Sequence, residues 1–299
     1  MQSPWGAVVR AVRAHQWAKN LLVFVPMVLA HRFDRVAFLH ASTAFIAFSA
    51  CASAVYVFND ILDVAHDRLH PRKRFRPFAA GDLSPGFGIA LALFLATAAL
   101  ALAATLNAQC VLMLVAYIVI NGFYGTLLKS EPIIDVVVLS GMYGLRLEMG
   151  AAATNVPLSP WLLAFALFFF TSRAFVKRYV ELRAAADQGT ATVAGRGYGA
   201  GDADLLASFG PASGYVAVLV LALYMNSQQM HAIYGEGRLL WLLCPLVLYW
   251  ITRVWLLARR GQLDDDPVVF AITDRPSLVV AALAGLIIAA ASCMARLAG

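Results

Sequence analysis

The chain has 299 residues, of which 61% are hydrophobic and only 13% charged, and its mean hydropathy is +0.74. A soluble domain carries roughly 25% charged residues, so the composition excludes a disordered chain, a collagen-like fibre and an ordinary water-soluble globule. The net charge of +6 is unevenly placed and follows the bias of membrane topology, not that of a nucleic-acid-binding surface.

Apolar runs occupy residues 17–33, 36–58, 86–106, 108–128, 132–153, 160–182, 209–227, 238–258 and 277–296. A run of roughly 20 such residues crosses the hydrocarbon core as a helix. The pattern predicts an all-α polytopic membrane protein with nine transmembrane helices, forming one domain over 1–299. The first run follows Arg10, Arg13, Trp17 and Lys19 and has no small-residue cleavage site after it, so it reads as a retained span and not as a secretory signal. With the N-terminus cytoplasmic, sixteen of the 23 lysines and arginines fall on the inner side and four on the outer side. The other three, Arg146, Arg173 and Arg253, lie within spans. This asymmetry predicts a cytoplasmic N-terminus. The long polar connections, 59–85 and 183–208, then face the cytoplasm, where chemistry is expected. Cys51, Cys110, Cys244 and Cys293 form no CxxC pair and read as small packing residues.

The second span ends in the most informative stretch, Asn59-Asp60-Ile61-Leu62-Asp63-Val64-Ala65-His66-Asp67-Arg68. Asn59, Asp63 and Asp67 stand four residues apart, which aligns them on one face of a helix. Oxygen groups so spaced repel one another without a cation and suit Mg²⁺ that also contacts substrate phosphate. A solvated helix end is the plain alternative for any charge run. Here the acids begin where a span ends, where ionisable groups are costly, and Arg72, Lys73, Arg74 and Arg76 follow at once. Metal and cations together neutralise a polyanion, so a magnesium-diphosphate site is expected. The spacing and the missing glycine exclude an EF-hand.

Asn59-Asp60-x-x-Asp63-x-x-x-Asp67, Arg68 and Lys73-Arg74-Phe75-Arg76-Pro77 resemble the first aspartate-rich motif of the UbiA superfamily of intramembrane prenyltransferases. That resemblance implies nine helices around a central cavity. Further stretches are similar to its decaprenyl-phosphate phosphoribosyltransferase branch: Gln16-Trp17-Ala18-Lys19-Asn20, Ala54-Val55-Tyr56, Lys129, Asp135-Val136-Val137-Val138, Arg146, Lys177-Arg178-Tyr179-Val180-Glu181-Leu182, Asp266-Pro267 and Asp274-Arg275-Pro276.

Aromatic prenyltransferases of the superfamily carry a second acidic motif at the cytoplasmic end of the sixth helix. This chain has Lys177-Arg178-Tyr179-Val180-Glu181 there. Lys177 and Glu181 also fit a plain i,i+4 ion pair. Base in place of acid suits 5-phosphoribosyl diphosphate (PRPP) as donor and polyprenyl phosphate as acceptor. The resemblance thus implies Mg²⁺ held by Asn59, Asp60, Asp63 and Asp67, with Asn59, Asp63 and Asp67 as catalytic residues. It makes Lys19, Asp60, Lys73, Arg76, Lys129, Lys177 and Arg178 substrate contacts, phosphate being the partner of the cations. Tyr124 is expected to hydrogen-bond a phosphate or ribose hydroxyl, and Glu181 a ribose hydroxyl or Lys177. The expected setting is a bacterial inner membrane with the active site cytoplasmic and no nucleic-acid partner, and a homo-oligomer is left open.

Two further classes compete: an aromatic or quinone-pathway prenyltransferase, which the missing second acidic motif disfavours, and a transporter or scaffold, which the one-sided polar groups and the lack of a repeat disfavour. Arg146 and Glu148 are expected in a buried ion network, and Asp264-Asp265-Asp266 in a solvated loop. Gly195-Arg196-Gly197-Tyr198-Gly199-Ala200-Gly201 has no family counterpart and reads as a flexible cytoplasmic loop.

Overall fold

The computed structural model of the chain describes residues 4–69, 73–187, 189–190, 193, 195–227, 230, 234, 237–263, 270 and 273–298. The acidic tract 264–266, together with Pro267, His70 and Arg72, lies outside the described residues. Every regular element among the described residues is helical. Eight helices there are long and apolar enough to cross a membrane.

In chain order the helices are α1 (Pro4–Val12), α2 (Val25–Leu29), α3 (Arg35–Leu62), α4 (Val64–Leu69), α5 (Pro85–Ala104), α6 (Ala108–Thr126), α7 (Ile134–Thr154), α8 (Pro160–Asp187), α9 (Ala203–Met225), α10 (Leu243–Arg259) and α11 (Arg275–Ala298). The expected first span, 17–33, is not one continuous α-helix. Ala14–Phe24 winds as a 3-10 helix and only Val25–Leu29 is α-helical. Arg13, in the left-handed region at φ 52°, starts the tighter coil, and Pro26 begins the α-helical turn.

The chain divides into two compact units, Met1–Gly125 with Leu145–Pro157, and Thr126–Gly144 with Leu158–Gly299. In the first unit α3 is the central element. Its buried face is built from small residues, Ala37, Ala41, Ala44, Ala47, Cys51 and Ala52, which let neighbouring helices come close. Asp34 caps α3 by accepting from the Ala37 N–H at 2.9 Å, and Ser84 caps α5 in the same way through Phe87. At 28 residues, α3 is about 42 Å long, more than the roughly 30 Å of hydrocarbon.

A 3-10 helix has three residues per turn, so side chains three apart share a face. Trp17, Asn20 and Val23 form such a face on Ala14–Phe24. Trp17 Nε1 donates to Ser53 Oγ at 3.0 Å and Asn20 Nδ2 to Ser49 Oγ at 3.0 Å, one turn of α3 apart. Val23 places its carbonyl against Gly150 of α7, where any Cβ would collide with it. Ser53 in turn donates to the Val12 carbonyl at 2.8 Å.

In the second unit α8, α9 and α10 pack through glycines. Gly210 and Gly214 of α9 leave room for Trp255 and Ile251 of α10, and Trp255 Nε1 donates to Ser172 Oγ of α8 at 3.0 Å. Buried Phe175, Tyr179, Leu182, Tyr198 and Leu206 continue this core to the end of α8. Arg253 pairs with Asp274 through both terminal nitrogens, at 2.7 and 3.0 Å, and Asp274 also caps α11 by accepting from the Ser277 N–H at 2.9 Å.

Candidate functional site

In the first unit, α3 stops at Leu62, Asp63 is its C-cap, and α4 resumes at Val64. The Asp63 N–H still reaches the Asn59 carbonyl at 2.9 Å and the Asp67 N–H the Asp63 carbonyl at 2.8 Å, so the i,i+4 spacing survives the break. The four expected metal-binding residues then part into two pairs. Asp60, 3% exposed, accepts from Arg13 at 2.6 Å and from Arg76 at 3.1 Å. Asp67, also buried, accepts from the same Arg76 nitrogen at 2.7 Å. Asn59 and Asp63 are half-buried, and among the described residues neither side chain has a hydrogen-bond or ion-pair partner. Gly125 of α6 turns its side-chain-free face toward Asn59 Oδ1.

The chemistry of this donor set suits a hard cation. Asn59 and Asp63 supply oxygen, and Mg²⁺ takes one or two protein ligands and fills the rest of its shell with water and substrate phosphate. No group of three His, Cys, Asp or Glu able to hold a metal occurs among the described residues.

The Arg68 Nε–H donates to the Ala79 carbonyl at 3.2 Å, tying α4 to the segment that follows Arg76. Arg13 also lies over the Tyr56 ring, 5.2 Å from its centroid. Lys19 sits half-buried on the 3-10 helix, Lys73 is exposed on the loop, and Tyr124 is half-buried on α6.

Deeper in the same unit is Arg146, 4% exposed, whose Nε donates to Asn20 Oδ1 at 2.8 Å. Its guanidinium lies over Phe48 and Tyr117, 4.8 and 5.4 Å from the ring centroids. An amide and two aromatic faces thus stabilise a cation inside a span, an arrangement made effective by exclusion of water.

The second unit carries Lys129, Lys177, Arg178 and Glu181. The Arg178 side chain is 1% exposed and Asp135, in the first turn of α7, is fully buried. Arg178 Nε donates to Asp135 Oδ2 at 2.5 Å, and its Nη1 donates to Glu181 Oε2. Arg178 is therefore enclosed between two carboxylates and not presented as an open phosphate contact. Lys177 Nζ lies 4.0 Å from Glu181 Oε1 on the partly exposed side.

The glycine-rich segment departs from its sequence reading as a flexible loop. Tyr198 is buried, donates to Asp135 Oδ1 at 2.7 Å and accepts from the Ile133 N–H at 2.8 Å. Burial and the hydrogen bond to the Asp135 carboxylate both push the Tyr198 phenol above its ordinary value. Arg196 donates to the Lys129 carbonyl at 3.3 Å, and Gly197 lies so close to Ser130 and Pro132 that a Cβ would clash.

Three residues of this arrangement carry little signal in the sequence. Arg13 reads there only as inner-side charge. Asp135 stands in a family-like stretch, its one signal an acid at the start of a span. Tyr198 was hidden among glycines 63 residues from its partner.

Residues 20–274 match the UbiA prenyltransferase family. The chain is similar to the uncharacterized protein y4nM of Sinorhizobium fredii, 36% identical over 91% of this chain and 53% of that protein, so it spans about half that relative's length. It is 34% identical to nodulation protein NoeC of Azorhizobium caulinodans, over 92% of this chain and 90% of NoeC. It is 39% identical to the decaprenyl-phosphate phosphoribosyltransferase of Mycobacterium tuberculosis over 62% of this chain and 63% of that enzyme. Among solved structures, a UbiA homolog from Archaeoglobus fulgidus bound to GPP and Mg²⁺ superposes with a TM-score of 0.71 at 15% identity, covering 96% of this chain and 99% of that one.

Proposed function

We propose, from the premise that the chain belongs to the UbiA prenyltransferase family, that this integral membrane enzyme transfers the 5-phosphoribosyl group of PRPP to a polyprenyl phosphate and releases diphosphate. The product is a polyprenyl-phosphate 5-phosphoribose, a precursor of lipid-linked arabinose for the cell envelope. The observation that carries this reading is the end of α8, where Lys177, Arg178 and Glu181 interlock with Asp135. A second acidic, metal-binding motif for a prenyl diphosphate is not what that set provides. The similarity to phosphoribosyltransferases supports the same choice.

Transfer joins an acceptor phosphate oxygen to C1 of the ribose as the bond from C1 to diphosphate breaks. The acceptor is already anionic at neutral pH, so no strong general base is needed. Asn59 and Asp63 would hold a divalent cation, whose charge would offset that of the diphosphate. Asp60 and Asp67 keep Arg76 and Arg13 beside that position, where preorganised positive charge complements charge leaving with the diphosphate. Lys19, Lys73, Lys129 and Lys177 serve as further phosphate contacts, and Tyr124 as a hydroxyl donor. Glu181 accepts from a ribose hydroxyl. The lysine and arginine bias of the polar loops supports a cytoplasmic setting for this chemistry, at a bacterial inner membrane.

The test is direct. Purified protein with Mg²⁺, polyprenyl phosphate and PRPP labelled in the ribose should yield lipid-linked label and free diphosphate. No lipid label, with transfer instead from a prenyl diphosphate to an aromatic acid, would overturn the reading.

A further inference from the structure

The glycine-rich segment, unabsorbed by the reaction above, is tied at three points to the turn that carries Lys129. Arg196 holds the Lys129 carbonyl, Gly197 seats against Ser130 and Pro132, and the Tyr198 hydroxyl takes the Ile133 N–H. Ile133 itself has φ 68°, a left-handed conformation that a β-branched residue adopts only when its surroundings impose it. The Tyr198 hydroxyl is the hydrogen-bond partner of that strained residue's N–H. The same hydroxyl donates to Asp135, which holds Arg178, which holds Glu181. One phenol thus links the strained turn to the carboxylate at the end of α8, through buried groups for which water is no substitute.

We infer that Tyr198 and Asp135 are positioning residues for donor binding: the segment 195–198 is a clasp that fixes the Lys129 turn and, through Arg178, the Glu181 carboxylate that receives the ribose of the donor. The inference rests on the proposed phosphoribosyl transfer. Tyr198 touches no substrate in this scheme. It sets the direction of Glu181, so it governs donor affinity and not the chemical step.

Steady-state transfer of labelled phosphoribose by the full chain in detergent tests this. Tyr198→Phe keeps the ring and removes both hydrogen bonds. It should raise the donor KM about tenfold, with kcat and the acceptor KM changed by less than about twofold. Gly197→Ala, whose Cβ would strike Ser130 and Pro132 and so displace the segment that carries Tyr198, should do the same. In a Glu181→Gln background, Tyr198→Phe should add little, since both act through one carboxylate. An unchanged donor KM in a folded Tyr198→Phe variant, or a fall in kcat at constant KM, overturns the inference while leaving the reaction standing. A wild type that transfers no phosphoribosyl label removes the reaction and the inference with it. If Asp135→Asn fails to fold, Tyr198→Phe, checked by its melting curve, still decides the question.

Discussion

Arg146 donates through Nε to the Asn20 side-chain oxygen at 2.8 Å, joining positions 126 residues apart in a buried setting. Hydrogen bonds to charged groups contribute about 1.5–3 kcal/mol, and more when removing one leaves a buried charge less fully satisfied. Asn20→Leu should therefore destabilise the protein by about 2–3 kcal/mol in chemical denaturation. Asn20→Leu combined with Arg146→Met, which removes both members, should recover much of that loss. Additive losses in the double variant would show that the two do not act as a pair.

Asp63 caps α3 and is one of two oxygen donors at the cluster without a partner among the described residues. Asp63→Ala should leave expression and melting near wild type and lower label transfer by at least about a hundredfold. Chelation of divalent ions should abolish wild-type transfer, and added Mg²⁺ should restore it. Retained turnover in Asp63→Ala would take the metal role from this residue.

Gly150 and Gly144 lie in the same helix with opposite surroundings. A Cβ on Gly150 would strike the Val23 carbonyl, whereas nothing stands within 4 Å of one on Gly144. Gly150→Ala should destabilise by about 1–3 kcal/mol through displacement of the 3-10 helix. Gly144→Ala should be neutral or stabilising by up to about 1 kcal/mol, since it restricts the unfolded chain. Melting temperatures of the two variants, compared side by side, check this.

Asp274 links acid stability to α11. Partial burial disfavours its charge, but hydrogen bonds from Arg253 and Ser277 prevail and hold its carboxyl below the ordinary value of 3.8. A carboxylate with a depressed folded value stabilises fully above its unfolded value, and the contribution is lost as pH falls through the folded one. Melting temperature should therefore drop below about pH 4 more steeply in the wild type than in Asp274→Asn. Identical pH profiles would show that this carboxylate carries no acid sensitivity.

The helical spans were legible because burial in lipid leaves a period-independent apolar run that composition alone reveals. Eight expected spans reappear as helices with shifted ends. The first was mis-shaped because a left-handed Arg13 and a proline at position 26 impose a coil that hydropathy does not register. At the acidic cluster, the four-residue spacing of Asn59, Asp63 and Asp67 was readable, but not the break between α3 and α4 at Asp63. That Arg76 would take Asp60 and Asp67 was only hinted at by the basic run nearby. The Tyr198–Asp135 bond was invisible, because nothing local links a tyrosine among glycines to an acid 63 residues earlier.

The threefold winding of Ala14–Phe24 also restricts how this region can evolve. Substitutions that respect the shared face of Trp17, Asn20 and Val23 are individually tolerable losses, but adding or removing one residue turns everything beyond it by about 120°. A single-codon gap would swing Asn20 away from Ser49 and Arg146 and carry Val23 off Gly150, all at once. Among relatives that keep this architecture, the distance from Arg13 to Val23 should vary in sequence but not in length.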